Sequence, residues 1–313
     1  MSFDLLVIGD ANPDVVLGPV PAELEFGQRE RLVRQGRLVL GGSAAITACG
    51  AARLGLRVAF AGRLGDDPAG AFVRQELAAR GVHVEHLVVD SLQPTPLTAV
   101  LTTGDGDRAV LTASGCLTAT GPEDVPRELL AAARHVHAAS FFLMPRLARA
   151  LPELFAEAQA LGATTSLDTN DDPAGRWDRT ALDPVLKVTD ILLPNAAEAR
   201  ALTGEYRLTA AAALLARHGL TVVVKDGRRG ALALAGTRLL HTAAVPVVPV
   251  DAVGAGDSFD AGFLAARLHG LDLRTSLAVA AACGSLSTRA HGGTAAQPTW
   301  DEAWAAIEPR GTA

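Results

Sequence analysis

What most constrains this chain is a repeated alternation of short apolar, β-rich runs with alanine-rich stretches of helical periodicity. Runs at Asp4–Ile8, Arg57–Ala61, Val136–Ala138, Thr164–Asp168, Ile191–Leu193 and Thr221–Lys225 read as strands, with helical patterns such as Arg146–Leu161 and Thr209–Arg217 between several of them. Such an order predicts an α/β fold whose mostly parallel central sheet is covered by helices. Four segments break the rhythm. Val15–Val20, Leu32–Leu40, Thr98–Thr103 and Arg108–Thr112 read as hairpin-forming strands, with turns at Gly36 and at Gly104-Asp-Gly-Asp107. They fall in two blocks, 12–40 and 96–113, and so predict a small excursion from a single domain spanning 1–313. With 313 residues, 49% of them hydrophobic, the chain can bury one large core.

The chemistry concentrates in Asp251-Ala-Val-Gly-Ala-Gly-Asp257-Ser-Phe-Asp-Ala-Gly-Phe263. Val245–Val250 reads as an apolar strand before it. Phe259, Phe263 and Ala266 recur at helical spacing after it, until Gly270 marks a C-cap. The glycines thus sit where a helix begins, and the main-chain N–H groups of Gly254, Ala255 and Gly256 would be free to meet an anion. A carboxylate at Asp257 repels phosphate unless it is there to take a proton, which suggests a general base beside a phosphoryl acceptor. The plain alternative is that Asp257 caps the helix and the glycines only make a tight turn.

This run resembles the C-terminal signature of the ribokinase-like (PfkB) carbohydrate and nucleoside kinases, with Ala252 where the family has Thr. Leu40-Gly-Gly-Ser-Ala-Ala-Ile46 and the small-residue stretch to Gly55 resemble the N-terminal signature, with Ile46 where the family often has a sugar-contacting Asn. There Gly41 and Gly42 allow close approach of backbone to a ligand, and Ser43 stands at a helix cap. Gly9-Asp-Ala-Asn-Pro-Asp14, Gly62–Gly70, Leu193-Pro-Asn195-Ala-Ala-Glu198 and Val222-Val-Val-Lys225-Asp-Gly227-Arg-Arg-Gly230 follow in family order, so the resemblance spans residues 4 to 300.

The resemblance implies a three-layer sandwich whose extra strands form a lid over the sugar and often the surface of a homodimer. It further implies ATP-dependent phosphorylation of a sugar hydroxyl, with Asp257 as base and the Gly254, Ala255 and Gly256 amides as anion hole. Asn12, Asp14, Gly41, Gly42 and Ser43 would meet the acceptor. Asn195, Glu198, Lys225, Gly227 and Gly230 would meet the nucleotide, Glu198 also holding magnesium through water. Asp251, with the Val253 carbonyl and residues near Ala290 to Gly293, would hold a monovalent cation, K+. A nucleoside acceptor is the alternative, because Ile46 and Phe141-Phe142-Leu-Met144 could make the site more apolar; Ser166–Pro173 and Trp177 look more like sugar kinases. A non-catalytic sugar- or nucleotide-binding protein of the same fold is the reading from another class.

Each motif also has a local reading. Asn195 and Glu198 fit a helix capping box, Asp14 an ordinary loop carboxylate, and Lys225 a solvated strand end. A net charge of −6 gives no support to a nucleic-acid partner. No stretch reaches the roughly 18 uninterrupted apolar residues of a membrane span. Met1-Ser-Phe-Asp4 leads into a strand without a basic signal region, so the expectation is a cytosolic protein without membrane partners. Cys49, Cys116 and Cys283 are too few and too scattered for a disulfide framework or a zinc site. There is no Gly-Lys-Ser/Thr phosphate loop and no serine-hydrolase elbow, and the G-x-G-x-x-A match at Gly104–Ala109 opens no helix.

Overall fold

The computed structural model describes residues 2–104 and 107–308. Its strands in chain order are β1 (Phe3–Ile8), β2 (Asn12–Gly18), β3 (Gln35–Gly41), β4 (Val58–Ala61), β5 (Arg63–Gly65), β6 (Val82–His83), β7 (Val88–Asp90) and β8 (Leu97–Thr102). They continue with β9 (Arg108–Ala113), β10 (Ala133–Ala138), β11 (Thr164–Leu167), β12 (Ile191–Leu192), β13 (Thr221–Lys225), β14 (Ala231–Ala235) and β15 (Arg238–Thr242). The helices are α1 (Ser43–Arg53), α2 (Pro68–Ala79), α3 (Arg127–Ala132), α4 (Pro145–Ala160) and α5 (Arg179–Leu186). Then come α6 (Ala196–Thr203), α7 (Leu208–Leu215), α8 (Ala255–Leu268), α9 (Leu273–Ser287) and α10 (Trp300–Ile307).

Nine strands form the central sheet in the order β15-β14-β13-β12-β11-β10-β1-β4-β6; all pair in parallel except β14 and β15, which turn back at one edge. The alternation of side chains along β1 divides the interior in two. Leu5 and Val7 enter a core shared with α1, α2, α8 and α9; Leu6 and Ile8 enter one shared with α3, α4, α5, α6 and α7. All four are fully buried, and the result is a three-layer sandwich.

The second sheet, in the order β3-β2-β8-β9, is built from the two excursions, with β2 parallel to β8 and antiparallel to β3. Gly36 does not make a turn; it lies within β3 opposite Leu17, and the strand starts at Gln35 rather than Leu32. Of the turn expected at Gly104–Asp107, Asp105 and Gly106 lie outside the described residues. Val245–Val250 is not a strand. Pro246 and Pro249 lack the N–H that a ladder needs, and the segment is tied instead by Val245 N–H to Ser285 Oγ (3.1 Å) and Val250 N–H to Thr288 O (2.7 Å). No described helix is long and apolar enough to cross a membrane.

Candidate active site

Parallel strands all present the same end to one side, so the residues just beyond β1, β11, β12 and β13 converge there. Asp10 follows β1. Its carboxylate accepts N–H bonds from Ser43 and Ala44 (3.0 Å each), so the uncapped start of α1 is closed by Asp10 and not by the Ser43 side chain, as the sequence suggested. Gly42, at φ 90°, makes the approach possible, because a Cβ there would stand 2.7 Å from Asp10 O. A Cβ on Gly41 would collide with the Asp14 carboxylate.

These elements wall a cleft of ≈ 330 Å³ between the small sheet and the α8 N-terminus. Of the expected site residues it brings together Asn12, Asp14, Gly42, Ser43, Val253, Gly254, Gly256 and Asp257. Asn12 donates to Asp14 Oδ1 (2.7 Å) and Thr98 Oγ1 (3.0 Å). Burial pushes the Asp14 carboxyl up to about 7, against the stabilising bond from Asn12.

Asp257 does not cap α8. The cap residue is Gly254, at φ 71°, and Asp257 is buried in the first turn with no capping bond. Its carboxyl is pushed up to about 8, first by burial, with the Lys225 charge opposing and the Asp168 and Asp10 charges adding to it. Of the three amides expected to be free, Ala255 N–H is spent on Ala252 O at 3.3 Å, while those of Gly254 and Gly256 have no acceptor among the described residues. Ile46 packs beneath this turn: a Cβ on Gly254 would lie 3.1 Å from Ile46 Cγ2. Asp251 holds the turn from its other end. Its two oxygens accept Val253 N–H and Gly292 N–H, each at 3.0 Å, which brings the segment around Ala290–Gly293 against it.

Asn195, Glu198, Lys225, Gly227 and Gly230 lie outside the walls of the cleft, toward β12 and β13. Asn195 and Glu198 do form a capping box on α6. Glu198 is nevertheless buried, with its carboxyl pushed up to about 7 by burial and by Asp168; a cation beside it would relieve that cost, and its hard oxygens suit magnesium. Gly227 and Gly230, both at positive φ, make the turn between β13 and β14. Lys225 is not solvated. Its ammonium lies between Asp168 Oδ2 (2.5 Å) and Asp260 Oδ2 (2.9 Å), so its charge is spent inside the protein. Against burial, which would lower it, those carboxylates hold the Lys225 pKa well above its usual value. Burial pushes the Asp260 carboxyl far upward.

Sequence reasoning missed Asp10, Thr98, Arg108, Thr112 and Asn170, all of which line the cleft. Asn170 reaches Ser43 Oγ (3.1 Å) and accepts Ser140 N–H (2.6 Å). For Arg108 and Thr112 a signal existed: they alternate with Val110 along β9, and all three face the cleft.

A family model described as pfkB family carbohydrate kinase matches residues 2–300. The chain is 34% identical over 289 residues to a fructokinase of Klebsiella pneumoniae, covering 86% of this chain and 92% of that one. It is 32% identical over 307 residues, 98% of each chain, to an ATP-dependent ribose-1-phosphate kinase of Halopiger xanaduensis. Among solved structures it is similar to Arabidopsis thaliana ribokinase complexed with ribose and ATP, with a TM-score of 0.84, 25% identity, and coverage of 99% of this chain and 100% of that one.

Proposed function

Because the chain belongs to the pfkB family of carbohydrate kinases, we propose that it transfers the γ-phosphate of ATP to a sugar hydroxyl, with Asp257 as the general base. The observation that carries this is the pairing, in one cleft, of a buried carboxyl at Asp257 with the unpartnered amides of Gly254 and Gly256, opposite the polar wall of Asn12 and Asp14. Asn12, Asp14 and Asn170 orient the acceptor's hydroxyls. Asp257 takes the proton of the attacking hydroxyl as its oxygen bonds to the γ-phosphorus and the bond to the departing ADP breaks. The Gly254 and Gly256 amides meet the negative charge that grows on the transferred group, aided by the partial positive charge of the α8 N-terminus.

Asn195 and Glu198, at the start of α6, would hold the water shell of magnesium, which supplies charge neutralisation between the phosphates when bound. The turn Gly227–Gly230 offers main chain to the nucleotide. Asp251, with carbonyls such as that of Val253, would hold K+.

A nucleoside acceptor is the second reading, favoured by an apolar portion of the same cleft formed by Ile46, Val100, Val110, Leu117 and Leu143. ADP release with a panel of pentoses, hexoses, sugar acids and nucleosides decides between the two. Asp257→Asn tests the mechanism itself: positioned bases contribute about 10²–10⁴-fold, so kcat on the true acceptor should fall by roughly that factor with ATP affinity held. Near-normal turnover would remove Asp257 from the reaction.

A further inference from the structure

We propose that Arg108, carried on β9 of the small sheet, is a catalytic residue that reaches across the cleft to neutralise the phosphoryl group in transfer. This rests on the kinase reading above and adds a residue to it. In-line phosphoryl transfer spreads negative charge over the equatorial oxygens of the moving group and onto the leaving phosphate. The cleft that must accommodate that charge is itself acidic. Asp10, Asp14 and Asp257 all line it, and among the described residues that line it Arg108 is the one cation. The other cation nearby, Lys225, is committed to Asp168 and Asp260.

Arg108 is held by a single long ion pair among the described residues. Its guanidinium makes no hydrogen bond among the described residues, and the closest carboxylate oxygen, Asp251 Oδ1, stands 4.0 Å away, beyond hydrogen-bond reach. Each oxygen of Asp251 already accepts one amide N–H, from Val253 and from Gly292. A planar fork of N–H donors is therefore available beside the first residue of the turn that presents the Gly254 and Gly256 amides. It makes and breaks no bond; Asp257 still takes the proton.

The register of the small sheet explains why a residue so far along the chain would serve this site. Thr98 pairs with Asp14 on β2 and with Thr112 on β9, while Thr102 pairs with Arg108. The acceptor-facing groups Asn12, Asp14, Thr98 and Thr112 thus share one sheet with Arg108. A hydroxylated acceptor seated on that sheet fixes the guanidinium over the amide turn at the same time. ATP alone, meeting water in place of an acceptor, lacks that alignment.

Steady-state kinetics of Arg108→Ala and Arg108→Lys on an acceptor that the wild type phosphorylates test the assignment. An arginine in this role is worth about 10³–10⁵-fold in turnover. Arg108→Ala should therefore lose at least about 10³-fold in kcat, with the KM values for acceptor and ATP changing less than about threefold. Added guanidinium should restore part of the lost rate, and Arg108→Lys, a point charge without the fork, should fall between. Guanidinium should do nothing for Asp257→Asn. An unchanged kcat in Arg108→Ala overturns the proposal. So does a rise in acceptor KM at constant kcat, which would make Arg108 a binding residue for an anionic acceptor. Failure of the kinase mechanism itself has a separate signature, Asp257→Asn turning over as fast as the wild type.

Discussion

Asp257 carries a carboxyl with a pKa of about 8 in the folded chain against an ordinary value of 3.8, and the difference has two measurable sides. The first concerns activity. A base must be ionised to accept a proton, so kcat/KM should fall as the pH drops below about 8 in the free enzyme, and Asp257→Asn should lack that limb. The second concerns stability. Below about pH 4 both folded and unfolded chains hold the proton; between about 4 and 8 only the folded chain does, so folding stability declines as the pH rises through that window. Asp14, at about 7, contributes with the same sign. Melting temperatures should thus fall between pH 6 and 8, and Asp257→Asn should flatten part of the decline and melt higher than the wild type at pH 8. A wild-type curve that rises over that range would contradict the burial argument. Asp14, on β2, was reached only through the family resemblance, whereas the glycine turn between Asp251 and Asp257 was legible in the residues themselves, because a turn at a helix start is a local object. Lys225 was not: its carboxylate partner Asp168 is 57 residues away, and only the fold makes them neighbours.

Among the elements, the turn from Asp251 to Gly254 depends on a distant segment. It is tied to the loop before α10 through the Asp251 carboxylate and Gly292 N–H, and Gly254 lies so close to Gly293 that a Cβ would stand 2.5 Å from its Cα. A monovalent ion held by Asp251 and nearby carbonyls would stiffen the bracket and keep the Gly254 and Gly256 amides aimed. Exchanging K+ for tetramethylammonium at constant ionic strength should then lower kcat several-fold with little change in either KM. Equal rates in the two salts would show that the amide bonds suffice alone. Six of the parallel strands, β1, β4, β10, β11, β12 and β13, could be read in advance, since apolar alternation and length report burial directly, while the two-residue β6 was missed. Val245–Val250 could not, because its composition is apolar while its two prolines refuse the ladder; hydropathy outweighed hydrogen bonding in that reading. Similarly, Ser43 looked like a cap until the chain after β1 brought the Asp10 carboxylate to the Ser43 and Ala44 amides at the start of α1.

At the scale of the molecule, the small sheet has a second face. Val15, Leu38, Ala99 and Leu111 occupy one continuous row across its four strands, on the side opposite Asp14, Thr98 and Thr112. Leu38 and Leu111 are 54% and 60% exposed, an apolar row that a second copy of the chain could cover by packing sheet on sheet. Sedimentation should show a dimer at micromolar concentration, and Leu111→Lys should shift it to monomer; a wild-type monomer at all concentrations would dispose of the interface. The central sheet carries a different consequence. Of the 28 basic residues only Lys187 and Lys225 are lysines, the first exposed and the second locked between two carboxylates below Gly256. An acylating reagent needs a neutral, reachable amine, and Lys225 in the folded chain is neither. Its acylation can begin only when β13 and α8 part, so the labelling rate at this one side chain is a clock for the opening of the floor beneath Gly256, readable by peptide mass without a substrate, a nucleotide or an assay.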